Sequence, residues 1–509
     1  MIDVLLIYPR LGSMDSMVVD LPLSIIYAAT ESVKRGYSVE AVDLRTERED
    51  WRETIRRKLS KGVRLAGISV MTGSPLINSR EISEFIKSES PQTKIVWGGP
   101  HPTVLPETVE EPYIDYLVRG YGSKPLAQIV EKHREGGDIS GIAGLSYKKD
   151  GVAVHNPREK EFEIIHYSDL PYDLIDVNAP KYIRTYNEAR NFPIFTSIGC
   201  PYQCAFCVHP AIYKEINGPK WLALEEEEIL GHIEYVMGRY KVNHIVFIDD
   251  TSFPKLSRMK SLFERIIEKK LNITMEFRGA RINEIMKMDD EFLNILVKAG
   301  GRMMMVGVES GSDKVLKGFQ KGITREQILN ANRKLARHPE LTAYYNFIYG
   351  TPGETYEDLL ETKDLVLTIL RENPKAYFGF GGDWKPIPGT RTLETAEKDY
   401  AFKSPKTIDD WIQIDSSDAD NKIVHSWYTA KHNDLIKLMQ VSSFVIDDKI
   451  IRESRGNNSS FFKLLRLMSR IYKPIALFRL RRNFSRWMVE YELWRMMVRI
   501  MPQLRAALG

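Results

Sequence analysis

The chain has 509 residues, too many for one domain at roughly 150 residues each. Apolar residues make up 43% and charged residues 28%, which excludes wholesale disorder, and no run of about 18 uncharged apolar residues exists to cross a membrane. The net charge of +4 hides an asymmetry: residues 451–509 hold 13 Lys and Arg against 3 Asp and Glu, so the rest of the chain is net acidic and attraction to an anionic partner belongs to the tail. The first residues, MIDVLLIYPR, read as a strand rather than a signal peptide.

Residues 1–137 alternate strand and helix signals. DVLLIYP, VEAVDL, VRLAGISVMTG, TKIVWGGP and YIDYLVRGYG are strand-like; LSIIYAATESVKRGYS, WRETIRRKLSKG and SREISEFIKSESP are helical. This order predicts a doubly wound parallel α/β sheet that binds ligands at the carboxyl ends of its strands. Residues 138–190 read as a connector with a hairpin at Asp150-Gly151. From 191 to 392 six strands recur, in FPIFTSIG, HIVFIDD, ITMEFRGARI, GRMMMVGVES, TAYYNFIYG and AYFGFGGDW, which predicts a partial (β/α)6 barrel. Residues 393–509 lose the alternation and read as mostly helical.

The only three cysteines, Cys200, Cys204 and Cys207, fall in one eight-residue window. None is left for a disulfide elsewhere, so a reducing, cytoplasmic compartment is expected. Thiolates at C-x3-C-x2-C on a loop after a strand can hold three irons of a 4Fe–4S cube and leave the fourth open. Structural cysteines, or a zinc site completed by His209, are the alternatives.

The signature resembles that of the radical S-adenosylmethionine (SAM) superfamily, including the aromatic residue, Phe206, before the third cysteine. The resemblance continues over about 200 residues in ordered segments. IVFIDDTSF is similar to the second-strand segment that meets the SAM amino group, here Asp249 and Asp250; taken alone these are a helix-cap pair. MVGVESGSDKVLKGFQKGIT is similar to the fourth-strand segment, with Glu309 and Ser310 at its end. NFIYGTPGET resembles the fifth, where Ile348 and Gly350 would line the adenine, and DWKPIPGT the sixth. Arg281, closing FRGARI, would meet the SAM carboxylate or form an ordinary ion pair. A buried strand-end acid such as Glu309 needs a partner.

The N-terminal unit resembles the cobalamin-binding module of the same branch. Ser69-Val70-Met71 fits its Ser-x-Leu element loosely and Gly98-Gly99 fits its Gly-Gly element. The Asp-x-His-x-x-Gly element is lost: Asp43-Leu44-Arg45-Thr46-Glu47 has no histidine. This implies cobalt without a protein imidazole, or a degenerate domain; His101 is the one substitute ligand nearby. The resemblance therefore implies a cobalamin-dependent radical SAM enzyme that methylates an unactivated carbon of an apolar or anionic small molecule. Its cofactors would be a 4Fe–4S cluster, SAM and cobalamin, and its electron donor a flavodoxin or ferredoxin. A ring-forming relative, such as the anaerobic cyclase of the chlorophyll pathway, and a non-catalytic cobalamin- or redox-responsive binding protein are the alternatives.

The tail sets large apolar residues at helical spacing, Phe461, Phe462, Leu465, Met468 and Ile471, then Trp487, Tyr491, Trp494, Met497 and Ile500 or Met501, among cations. Two readings follow: an amphipathic helix pair packed over the barrel mouth, or peripheral membrane contact. No nucleic-acid partner is expected, because no RNA-binding fold is seen and the body is acidic.

Overall fold

Ile2–Tyr8 is apolar at nearly every position, and a strand of that kind must be covered on both faces. In the computed structural model it is the inner strand β1 of a seven-stranded sheet, and its side chains divide by the strand period of two. Val4 and Leu6 face one core, with Ile25, Ile26 and Ala29 of helix Leu23–Lys34 and Leu126 and Ile129 of helix Ser123–Glu135. Leu5 and Ile7 face a second core, with Ile55 and Leu59 of helix Trp51–Leu59 and Ile82 and Ile86 of helix Ser74–Glu89. The structure describes residues 1–509 except 13–14, 16–17, 47–49, 184–189, 380, 414–425, 494–495 and 497–509, and except the side chain of Ser74.

The partners of β1 are β2 (Val39–Asp43) and β3 (Val63–Ser69), followed by β4 (Lys94–Gly98) and β5 (Tyr116–Val118), all parallel. The hairpin β6 (Leu145–Lys149) and β7 (Val152–His155) then adds antiparallel to β5. Asp150 and Gly151 both have positive φ, 52° and 79°, as a type I′ turn requires. Residues assigned by sequence to the connector thus extend the first sheet.

The second sheet begins with β8 (Phe192–Ile194). The segment FPIFTSIG is not one strand: after Ile194 the chain leaves the sheet, and β9 (Ser197–Gly199) pairs antiparallel with β10 (Trp221–Ala223). Beside β8 run β11 (His244–Phe247), β12 (Thr274–Arg281), β13 (Gly301–Glu309), β14 (Thr342–Tyr349) and β15 (Tyr377–Phe378), every neighbour parallel. A short strand β16 (Gly382–Asp383) also pairs with β14. The sheet is an open half-barrel. Along β12, β13 and β14 one alternate set faces the lumen: Glu276 and Arg278; Met303 and Met305; Tyr344, Asn346 and Ile348.

The C-terminal region is helical over Arg391–Tyr400, Ile408–Gln413, Ala430–Ser443, Lys449–Glu453 and Ser460–Arg482. Its Leu393, Ile408 and Trp411 enter the second core of the first sheet, so this region straps the two sheets together. In the last helix Phe462, Ala476 and Leu480 are buried. Of the apolar set expected over the barrel mouth or at a membrane, Phe461, Met468, Ile471 and the later Trp487 are exposed, Leu465 is half-buried, and Tyr491 is buried like Phe462. Trp494, Met497, Ile500 and Met501 lie outside the described residues.

Asp43 and Arg45 at the end of β2 form a buried pair, Nη2 to Oδ2 2.6 Å, each side chain 1% exposed. Arg45 also donates to the carbonyls of Val18 (3.2 Å) and Asp20 (2.9 Å), and Tyr182 donates to Asp43 at 2.8 Å. Breaking a buried pair from one side leaves an uncompensated charge. Arg45→Met should therefore cost about 3–5 kcal/mol, read as a lower urea midpoint; an unchanged midpoint would show the pair to be dispensable.

Candidate active site

The three cysteines sit on the loop that follows β9, at the carboxyl end of the half-barrel. Asp249, which follows β11, makes that departure possible. Its carboxylate is buried and accepts from Thr196 N (2.7 Å), Thr196 Oγ1 (2.7 Å) and Ser197 N (2.8 Å), the groups freed where the chain leaves the sheet. Gly199 then turns with φ 81°, where a Cβ would collide with the carbonyl of Lys220. The loop is strapped down by Ala205 N to Phe319 O (2.8 Å) and Thr392 N to Ala205 O (3.0 Å).

Cys204 is buried; Cys200 and Cys207 are half-buried. Arg281 donates through Nη1 to Cys204 Sγ at 3.2 Å and through Nη2 to Lys321 O at 3.1 Å, and lies 3.8 Å from the Tyr202 ring centroid. Burial pushes the Cys200 thiol up to about 12. Burial also acts on Cys207, but the hydrogen bond and charge of His209 outweigh it and hold that thiol below its usual value. His209 Nε2 is 3.3 Å from Asp250 Oδ1, and Tyr213 donates to Asp250 Oδ2 at 3.0 Å. Of the two aspartates, then, Asp249 is engaged by the backbone and Asp250 by His209 and Tyr213. Three thiols on one loop, with a guanidinium on one and an imidazole on another, form a soft donor set that fits an iron–sulfur cluster.

Glu309 ends β13 with φ 69°, a strained conformation for a residue with a side chain. Its Oε1 accepts from Lys321 Nζ at 2.6 Å, and both side chains are almost fully buried. Ser310 is buried 3.2 Å from Thr362 Oγ1. Ile348 faces the lumen. Gly350 donates to Glu354 Oε2 at 2.6 Å, and its carbonyl accepts from Trp427 Nε1 at 3.3 Å. The structure brings Arg281 to the cysteines and Glu309 to Lys321.

The first sheet presents its carboxyl edge to the same region. Ser69 Oγ meets Ser24 Oγ at 2.8 Å. The two glycines differ: a Cβ on Gly98 would have only Val118 O at 3.8 Å, whereas one on Gly99 (φ 107°) would lie 2.7 Å from Val70 O. Gly99 is needed by the fold, whereas Gly98 has room for a Cβ. A cavity of about 220 Å3 runs from Gly99 and Thr103 past Arg119 to Tyr213 beyond the cysteine loop. His101 is buried, with Nδ1 3.0 Å from Thr72 Oγ1 and its ring edge-on to Trp411. Burial lowers it to about 4, so it is neutral at physiological pH.

Residues that sequence reading passed over join the two edges. Arg278, in the lumen, makes a two-pronged ion pair with Asp20 of the loop after β1 (Nη2 to Oδ1 3.1 Å, and Nη1 to Oδ2). Its Nε donates to Glu276 Oε1 at 3.3 Å, and Glu276 is wholly buried. The strand period in EFRGARI was the available signal: it places Glu276 and Arg278 on one face.

Glu354 provides a pH test of this end of the barrel. Its Oε2 also accepts from Tyr428 at 2.8 Å, and burial pushes the carboxyl up to about 7. A raised acid stabilises the fold fully below its unfolded pKa, and that stability is lost as pH rises through about 7. Glu354→Gln should match the parent's unfolding free energy in urea near pH 5 and exceed it at pH 8 by up to about 3 kcal/mol. Equal dependence on pH in both proteins would contradict this.

Residues 194–366 match the Radical SAM superfamily and residues 10–130 the B12 binding domain. An uncharacterized methyltransferase of Pyrococcus horikoshii is 26% identical over 481 residues, covering 92% of this chain and 98% of the relative. The anaerobic magnesium-protoporphyrin IX monomethyl ester cyclase of Rubrivivax gelatinosus is 27% identical over 289 residues, 55% of this chain and 50% of the cyclase. The radical SAM methyltransferase TsrM of Kitasatospora setae, solved with cobalamin and a [4Fe-4S] cluster, shares the fold with a TM-score of 0.62 at 22% identity, covering 80% of each chain. With its cysteine loop at the end of a parallel half-barrel and a second parallel sheet facing it, the chain carries a radical SAM domain over residues 194–366 and a B12-binding domain over residues 10–130.

Proposed function

We propose that this enzyme replaces a C–H bond of a small organic molecule by C–CH3, with the substrate held in the half-barrel lumen. The observation that carries the reading is the lumen itself, flanked at one end by the cysteine loop and joined to the B12-binding sheet by Arg278 and Asp20. When bound, the cluster with SAM supplies a 5′-deoxyadenosyl radical and cobalamin supplies the methyl group. Cys200, Cys204 and Cys207 hold the cluster. Asp250, Arg281, Glu309, Ser310, Ile348 and Gly350 surround SAM, and Ser69, Gly98 and Gly99 form the cobalamin edge.

The chain's own groups have distinct tasks in this reading. Arg281 fixes Cys204 by a charge-assisted hydrogen bond. Lys321 neutralises Glu309, which keeps a buried charge from standing alone. Asp249 holds the strand end from which the cysteine loop departs. His101 is buried and neutral, its Nδ1 held by Thr72 and its Nε2 without a hydrogen-bond partner among the described residues; the proposal of cobalt without a protein imidazole rests on the missing histidine in Asp43-Leu44-Arg45-Thr46-Glu47. The reductant is a one-electron donor of the flavodoxin or ferredoxin class, and the cationic, apolar tail suits contact with a membrane surface. Ring formation is the second reading, supported by the similarity to the Rubrivivax cyclase.

Anaerobic turnover with methyl-deuterated SAM, cobalamin and candidate substrates decides between them. Methyl transfer requires 5′-deoxyadenosine and a product heavier by one CD3-for-H exchange; deoxyadenosine with loss of hydrogen alone would favour ring formation. Cys200→Ala, Cys204→Ala or Cys207→Ala should each abolish or destabilise the iron–sulfur absorbance near roughly 400 nm; full cluster loading in all three would end the assignment. Gly98→Leu should lose cobalamin on gel filtration yet keep its cluster, because the fold leaves room for a side chain there and a bulky one would stand in the proposed cobalamin edge. Cobalamin retained by that variant would move the site elsewhere.

A further inference from the structure

Helix Ser460–Arg482 divides into two faces. One packs inward through Phe462, Ser469, Ala476 and Leu480, beside Met439 and Ile446 of the preceding helical layer and Phe347 of β14. The other carries Phe461, Leu464, Leu467, Met468, Ile471, Ile475 and Phe478, each between 47% and 60% exposed. These positions recur at intervals of three and four, so they form one stripe along a helix about 34 Å long. Beyond the helix, Trp487 is 80% exposed and Val489 63%.

A stripe of this size has a function on a protein surface, because isolated apolar side chains are ordinary there and a continuous row is not. Its charged border states what it fits. Lys463, Arg470 and Arg481 lie along one flank, and Arg482 and Arg486 at its end; all five are exposed, and none forms an ion pair among the described residues. The two cations that do pair, Lys473 with Asp448 (2.7 Å) and Arg479 with Glu490 (2.7 Å), leave the stripe's own border unpaired. The inward face carries the tertiary contacts, so among the described residues the outward face is exposed without any rearrangement. No helix among the described residues is long and apolar enough to cross a membrane.

We propose that this face docks on the surface of an anionic lipid bilayer, its apolar stripe in the headgroup–acyl boundary and Lys463, Arg470 and Arg481 against lipid phosphates. The arrangement also bears on the substrate. Arg466 donates to Ser454 O at 2.6 Å, which ties the helix to Lys449–Glu453. Lys449 of that segment donates to Tyr344 Oη in the lumen at 3.2 Å. Docking through this helix therefore brings the half-barrel to the bilayer and suits an amphiphilic substrate. This second step rests on the lumen as the substrate site; the docking itself does not.

The test is sedimentation of the full-length protein with vesicles of phosphatidylcholine alone and of phosphatidylcholine with phosphatidylglycerol. The expected result is preferential binding to the anionic vesicles, weakened by salt. Arg470→Gln and Lys463→Gln should each weaken it by about fivefold. Ile471→Asp with Phe478→Asp should abolish it while iron content and circular dichroism stay unchanged, because both side chains point away from the core. Equal and negligible binding to both vesicles would overturn the proposal. So would a dimer in light scattering that the double variant dissociates, since a second copy would then be the occupant. Anionic-vesicle binding with no SAM cleavage would support the docking and contradict the enzymatic reading, so the two can fail separately.

Discussion

The pairing of Asp20 with Arg278 is the constraint on which the rest of the molecule depends. Two parallel sheets can do joint chemistry at their carboxyl edges only if those edges are held in register. A guanidinium inside the half-barrel meets a carboxylate on the first loop of the other sheet, and each is backed by a second charge. Glu276 supports Arg278 from below. Arg45, paired with Asp43, fixes the backbone that presents Asp20. Each charge in this chain is partly or wholly withdrawn from water, where an unpaired ion is costly, so the relative position of the sheets is tied to electrostatic satisfaction as well as to apolar contact.

The cysteine loop obeys a related logic. Leaving a parallel sheet frees backbone donors that must be met, and Asp249 meets them. The loop is then held from three sides: by Arg281 from β12, by the carbonyl of Phe319 after β13, and by Thr392 from the C-terminal region. The position of the loop thus depends on residues nearly 200 positions away in the chain, since Thr392 donates to Ala205. The strain at Glu309, a non-glycine residue at positive φ, is held by its buried bond to Lys321 at that same end of the barrel.

Much of this was legible from the sequence because the signals were local. Strand period and apolar runs gave the six half-barrel strands in order, and the three cysteines announced themselves by spacing. What was not legible depended on partners distant in sequence. FPIFTSIG reads as one apolar strand, yet it divides because Asp249 captures its middle. The hairpin at Asp150-Gly151 was visible as a turn, but its pairing with β5 is a long-range choice. Asp249 and Asp250 look alike in sequence and differ only in what surrounds them. Asp20 shares its loop with Asp15, and nothing local marks it as the partner of a residue 258 positions later.

The central claim is that the cluster and cobalamin sites open on one lumen and face each other across it. Electron paramagnetic resonance of the protein loaded with both groups measures this directly. With cob(II)alamin bound, reduction of the cluster should broaden the cobalt signal and speed its relaxation through spin–spin coupling, and Cys204→Ala should remove the effect. A cobalt signal unchanged by the reduced cluster would mean that the two sites do not share a chamber, and would contradict the account.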